Sequence, residues 1–126
     1  MFKKDNIVVK YKEKTVIGLC EEVVIAGPKG KKEVIARVDT GATKSSIDVQ
    51  LAAELSLGPI LKSALIRSAS GAGVRAVVEA KIEIADKEMK AEFTLADRAH
   101  MKYPVLIGQN ILKTGFLVDP AKDEIK

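Results

Sequence analysis

Residues 34–48 read VIARVDTGATKSSID. An apolar run, Val34-Ile35-Ala36-Arg37-Val38, ends at Asp39, and Thr40, Gly41 and Ala42 lead into a polar cluster. The run predicts a strand over 33–38, and the residues after it predict a tight turn. Gly41 lets backbone approach closely because it carries no Cβ. The simplest role for Asp39 is that of a turn or capping residue. Whether it does more depends on what the rest of the chain brings to it.

Upstream, TVIGLCEEVVI (15–25) reads as strand with an irregularity near Gly18. AGPKGKK (26–32) is turn chemistry, and Lys29, Lys31 and Lys32 solvate its tip; a wet hairpin end accounts for this basic cluster better than a binding patch. Downstream, SIDVQLAAELSLG predicts a short helix with Ile47, Leu51 and Leu55 on one face, capped by Ser46 or Asp48 and stopped at Gly58-Pro59. Residues 65–97 read as long strands: Val74, Ala76, Val78, Ala80, Ile82 and Ile84 alternate with polar positions, SASGAGV forms a glycine-rich turn, and ADKE forms another. Val105-Leu106-Ile107 is an apolar strand ending at Gly108. Gln109 to Thr114 predicts a short helix ended by Gly115, and Phe116-Leu117-Val118 is a last strand. Short strands with frequent turn signals predict a mainly β chain, a small barrel or sandwich with one or two short helices.

Composition narrows the class. A chain of 126 residues has the size of one ordinary domain, and 47% hydrophobic residues suffice for a core. With no Trp and 4% aromatics, that core must be mostly Val, Ile, Leu and Ala. The net charge of +4 favours acidic partners, yet 30% charged residues of both signs also describe an ordinary surface. Few aromatics are available for base stacking and no nucleic-acid module is recognisable, which argues against a nucleic-acid partner. Cys20 is the single cysteine, so no intrachain disulfide forms; a reducing, cytoplasmic setting is expected. Ile7-Val8-Val9 is too short for a signal peptide, and no stretch approaches a membrane span.

Three features occur in order: VDTGA, the glycine-rich SASGAGV, and VLIGQNIL. Over roughly residues 33–118 the chain resembles the retropepsins, small homodimeric aspartic proteases. Their Asp-Thr-Gly-Ala loop, flap hairpin and apolar strand running through glycine into a helix follow the same sequence. IGLCEEVVI, ARVDTGATKSS, LADR and MKYPVLIGQNIL are further similar to a retropepsin-like group called ATP-dependent zinc proteases, often associated with ligases that attach glutamates. A catalytic zinc needs about three protein ligands, mostly His with carboxylate or Cys. The chain offers only His100 and Cys20, with no His-Glu-x-x-His motif, so the zinc part of that name is rejected and no metal or cofactor is expected.

The resemblance implies a closed retropepsin-type barrel, a single domain over 1–126 with 1–14 as an N-terminal extension. It also implies a chemistry. Two carboxylates share one proton, one activating a water and the other polarising the scissile carbonyl. Asp39 would be the catalytic acid, with Thr40 and Gly41 holding its loop. Asp48, Asp86, Asp97, Asp119 and Asp123 are not followed by Thr-Gly or Ser-Gly, and Asp5 lies in the N-terminal stretch, so the second carboxylate must come from a second chain. A twofold homodimer with Asp39 facing Asp39 is expected. Ala42 and the hairpin tip Ser70, Gly71, Ala72 and Gly73 would contact substrate, the tip closing over it. Arg37, Lys44, Arg67, Arg75 and Arg98 sit beside these elements in sequence and make a peptide substrate, with glutamate-rich peptides leading, the expected partner. The competing reading is an inactive retropepsin-like dimerisation or binding module, because fold alone does not establish activity.

Overall fold

The computed structural model describes residues 13–68 and 71–122. Most of the expected N-terminal extension, residues 1–12, lies outside the described residues, as does Ser70 of the hairpin tip. The described residues form nine strands and two short helices: β1 (Thr15–Ile17), β2 (Cys20–Gly27), β3 (Gly30–Val38), β4 (Ser45–Asp48), α1 (Val49–Glu54), β5 (Lys62–Ser68), β6 (Gly71–Ile84), β7 (Lys87–Ala96), β8 (Val105–Ile107), α2 (Gln109–Leu112) and β9 (Phe116–Val118). The expected break near Gly18 separates β1 from β2, and the Gly18 amide donates to the buried Glu21 carboxylate at 2.7 Å.

The main sheet runs β2-β3-β8-β4-β7-β6-β5, and β2 pairs again with β6. That second pairing closes a barrel of six strands, leaving β5 attached to β6 alone as a projecting hairpin. Closure removes free edges from the body of the sheet. β1 and β9 form a separate parallel pair, Thr15 opposite Phe116 and Ile17 opposite Val118. The barrel interior is aliphatic, as the composition requires: Val23 and Ile25 of β2, Ile82 and Ile84 of β6, Val105 and Ile107 of β8 are buried around Phe93. Leu51 and Leu55 from the α1 segment and Ile111 of α2 cover it.

Alternation along β6 holds from Val78 to Ile84 and fails at Val74, which is 69% exposed. The strand outruns the barrel there. Its outer half pairs only with β5, Leu65 opposite Val74, so no second layer covers that face. The ADKE turn uses positive φ at both Ala85 and Asp86, 50° and 65°, the handedness a two-residue hairpin needs.

The helix expected from Ser46 or Asp48 starts at Val49, with Asp48 as the cap. Ile47 reaches the core from β4 instead. One Asp48 oxygen accepts from the Gln50 amide at 3.2 Å, and the other accepts from the Arg98 amide at 2.8 Å. A single buried carboxylate thus caps α1 and ties down the segment after β7. Asp48→Ala is expected to cost about 2 kcal/mol of stability, since it strips two amides of their acceptor. Urea unfolding measures this, and a change below about 0.5 kcal/mol would contradict it.

Candidate active site

Asp39 stands where β3 stops. Val38 pairs with Ile107 of the parallel strand β8, and the Asp39 amide extends that ladder by donating to the Ile107 carbonyl at 2.9 Å. The chain then turns. The Ala42 amide reaches the Asp39 carbonyl at 3.2 Å, and the Gly41 amide donates to Asp39 Oδ1 at 2.9 Å. The carboxylate is half-buried, with one oxygen held by backbone.

The start of α2 grips the same loop. Helix-start amides have no partners within their own helix. Here the Gln109 amide donates to the Ala42 carbonyl at 2.8 Å and the Asn110 amide to the Thr43 carbonyl at 3.2 Å. The Gln109 side chain adds a 2.7 Å bond from Nε2 to the Thr40 carbonyl. Ser45, fully buried, accepts from the Gly108 amide at 2.9 Å and donates to Asn110 Oδ1 at 2.7 Å. Gly108 is required for this fit: a Cβ there would lie 2.7 Å from the Lys44 carbonyl carbon, 2.9 Å from the Ala42 oxygen and still closer to the Lys44 oxygen. The loop is therefore fixed by β8 behind it and α2 beside it.

The loop floors a cleft of about 540 Å³. Asp39, Gly41 and Ala42 form one side, Leu65, Ile66 and Arg67 of β5 with Arg75 of β6 overhang it, and Lys44, Arg98, Met101 and Leu106 complete the wall. Four cationic side chains thus share the cleft with two carboxylates, Asp39 and Asp97. A second hollow of about 580 Å³ lies on the barrel wall and is lined by Glu21, Glu22, Glu33, Glu83 and Asp86, away from Asp39.

Among the cations Arg98 is the anchored one. Its Nε donates to the Tyr103 carbonyl at 2.9 Å and its Nη1 to Ser46 Oγ at 3.3 Å. Burial pulls its guanidinium below the ordinary value, and the Asp48 carboxylate pushes the other way; an arginine so placed stays protonated at any working pH.

The chain has relatives. The profile of the RimB-like family, described as retropepsin-like aspartic endopeptidase RimB, matches residues 51–126. The chain belongs to the RimB-like family. The matched segment spans the projecting hairpin, β7, β8 and α2; Asp39 precedes it. No curated protein matches at a significant level. Among solved structures, Lpg0085 from Legionella pneumophila, a protein of unknown function (DUF785), superposes with a TM-score of 0.59 at 22% identity, covering 85% of this chain and 94% of that one. EIAV protease in complex with the inhibitor HBY-793 gives 0.60 at 17% identity, covering 85% and 92%. Simian foamy virus (mac) protease gives 0.52 at 19% identity, covering 75% and 91%. The barrel of this RimB-like chain is thus of the retropepsin type, with its two short helices.

The structure brings Asp39, Gly41, Ala42, Lys44, Arg67, Arg75 and Arg98 to one cleft. Thr40 adjoins it, exposed, its carbonyl taken by Gln109. Gly71, Ala72 and Gly73 form the far end of the hairpin and do not line the cleft. Arg37 does not reach it either. It lies between the buried Ala36 and Val38 on the outward side of β3, opposite Cys20, with Nη1 3.7 Å from the Cys20 sulfur. Cys20 is buried and donates to the Tyr103 hydroxyl at 3.2 Å, while His100 is exposed. Among the described residues no three His, Cys, Asp or Glu side chains are grouped to hold a metal ion. Ser45, Gln109, Asn110 and Tyr103 were not singled out by sequence; the only cue to the first three was their position beside the Asp loop and after the apolar Gly strand.

Proposed function

We propose that the chain is an aspartic endopeptidase that works as a homodimer, with Asp39 from each of two chains sharing a proton about a twofold axis. The observation that carries this reading is the Asp39 carboxylate, half-buried and held by Gly41 on a loop clamped from two sides, at the floor of a cleft. Asp97 and Asp119 also accept from the amide two residues on, but among the described residues Asp39 alone stands on the loop clamped by β8 and α2, so one chain supplies one such carboxylate. The ionised member of the pair takes a proton from a water between them. That water's oxygen bonds to the scissile carbonyl carbon while the protonated member donates to the carbonyl oxygen. Collapse of the tetrahedral adduct breaks the C–N bond: the leaving nitrogen takes a proton from the pair while one hydroxyl of the adduct returns its proton to it, so the pair again shares one proton. The projecting β5–β6 hairpin covers the peptide. Membership in a family of retropepsin-like endopeptidases supports the same reading.

Substrates with negative charge near the cleaved bond fit the cleft best, glutamate-rich peptides above all, because Lys44, Arg67, Arg75 and Arg98 outnumber Asp39 and Asp97. We expect the purified protein to cleave a glutamate-rich peptide in preference to its glutamine counterpart, scored by mass spectrometry. The preference should shrink as salt rises, since exposed charges are screened beyond about 8–10 Å. The rate per subunit should fall on dilution through the dimer dissociation constant, and a chelator should leave it unchanged. A dilution-independent rate would refute the two-chain site. Loss with chelator, restored by zinc, would refute the aspartic mechanism. Association without any cleavage would leave a binding module.

A further inference from the structure

Three of the four cleft cations are loosely held. Lys44, Arg67 and Arg75 are exposed, and among the described residues none has a hydrogen-bonded or ion-paired partner fixing its head group. Arg98 differs in every respect. It is half-buried, its Nε and Nη1 are bound by a backbone carbonyl and a strand hydroxyl, and its own amide is held by Asp48. The Tyr103 acceptor is secured in turn by the Cys20 thiol on the Tyr103 hydroxyl. Two of the five guanidinium N–H groups are thus used, and the other three have no acceptor among the described residues. No carboxylate among them comes within ion-pair distance of this guanidinium. Asp48 acts on the guanidinium from beyond that distance, with its two oxygens taken by the Gln50 and Arg98 amides. A partly desolvated cation with no carboxylate bound to it directly is costly, and a planar fork with free donors matches one.

We infer that Arg98 is the residue that fixes one substrate carboxylate at a single subsite of the cleft, and that Lys44, Arg67 and Arg75 only raise the local concentration of acidic peptide. The inference rests on the acidic-substrate reading above and goes beyond it by assigning positional selectivity to one side chain. A preformed fork loses little freedom on binding, so it discriminates by position; mobile exposed cations attract without choosing one.

The test is a scan. Peptides carrying one Glu→Gln change at each position of a glutamate-rich substrate are bound to Asp39→Asn protein, where turnover is blocked, and cleaved by the otherwise unaltered protein. One position should show a Glu over Gln preference of about tenfold or more. Arg98→Gln should bring that ratio to about one there and leave the other positions unchanged, raising KM more than it lowers kcat. Arg98→Lys should keep the salt dependence yet restore only part of the ratio. Arg67→Gln and Arg75→Gln should weaken all peptides alike. If Arg98→Gln does not fold, Ser46→Ala, which frees Nη1 without removing charge, should still cut the ratio severalfold. An unchanged ratio in Arg98→Gln, a loss spread evenly over all positions, or no binding of any acidic peptide overturns the inference. Arg98-dependent binding without cleavage by the unaltered protein upholds it and sinks the endopeptidase reading instead. Cleavage of neutral peptides alone does the reverse.

Discussion

Asp39→Asn is expected to lower kcat/KM by at least about 10³-fold while leaving the fold intact. Asparagine has the shape of aspartate, and its amide oxygen can still accept the 2.9 Å bond from the Gly41 amide. The Asp39 amide and carbonyl, which anchor the turn to Ile107 and Ala42, are untouched by the change. The melting temperature should therefore move by no more than about 3 °C. What the substitution removes is the group proposed to take a proton from water. Because the proposed pair draws one carboxylate from each chain, the variant should also act on unaltered protein. With a tenfold excess of Asp39→Asn subunits and free exchange, about one unaltered subunit in ten retains an unaltered partner, so activity per unaltered subunit should fall to about a tenth. Near-full activity of the variant removes Asp39 from the mechanism. Loss in the variant without quenching in the mixture keeps Asp39 but places the active unit in one chain.

What sequence alone revealed was local and periodic. Asp-Thr-Gly after an apolar run, alternation in β6, and an apolar strand breaking at Gly108 each follow from short-range backbone chemistry, and each element forms where that chemistry predicts. What it did not reveal depends on contacts across the chain. Ser45 sits in a polar cluster, where serine reads as solvated loop; it is fully buried because Gly108 and Asn110, more than sixty positions on, use its hydroxyl. Arg37 is two residues from Asp39 and Arg98 is fifty-nine, yet Arg98 lines the cleft. Strand pleat turns Arg37 outward beside Cys20, whereas the segment after β7 is carried to the cleft by Asp48 and Tyr103. Val74 shows the limit of alternation itself, since a correct period buries nothing where no second layer exists.

Gly108→Ala should be the most damaging single methyl in this fold. The position does not need glycine for its backbone: φ is −105° and ψ −171°, extended values open to any residue. The constraint is space. An added Cβ would meet the carbonyl of Lys44 and the oxygen of Ala42, all backbone atoms of the loop that carries Asp39. Those atoms cannot rotate aside as a side chain would. Either the loop moves or α2 does, and moving α2 strains the bonds from Gln109 and Asn110 to Ala42 and Thr43. Overpacking of this kind costs about 2–3 kcal/mol, a fall in melting temperature of roughly 8–12 °C for a chain of this length. The catalytic cost should be larger than the stability cost, because a displacement of about 1 Å in a reacting group lowers rates about 100-fold. Assayed well below its melting temperature, the variant should fold and bind peptide yet turn it over slowly. Gly73→Ala is the control. A Cβ there meets nothing within 4 Å, so its stability should stay within about 1 kcal/mol of the unaltered protein. Equal melting temperatures for the two variants would mean that the loop yields to the methyl. Full turnover in Gly108→Ala would mean that the clamp from α2 does not set the position of Asp39.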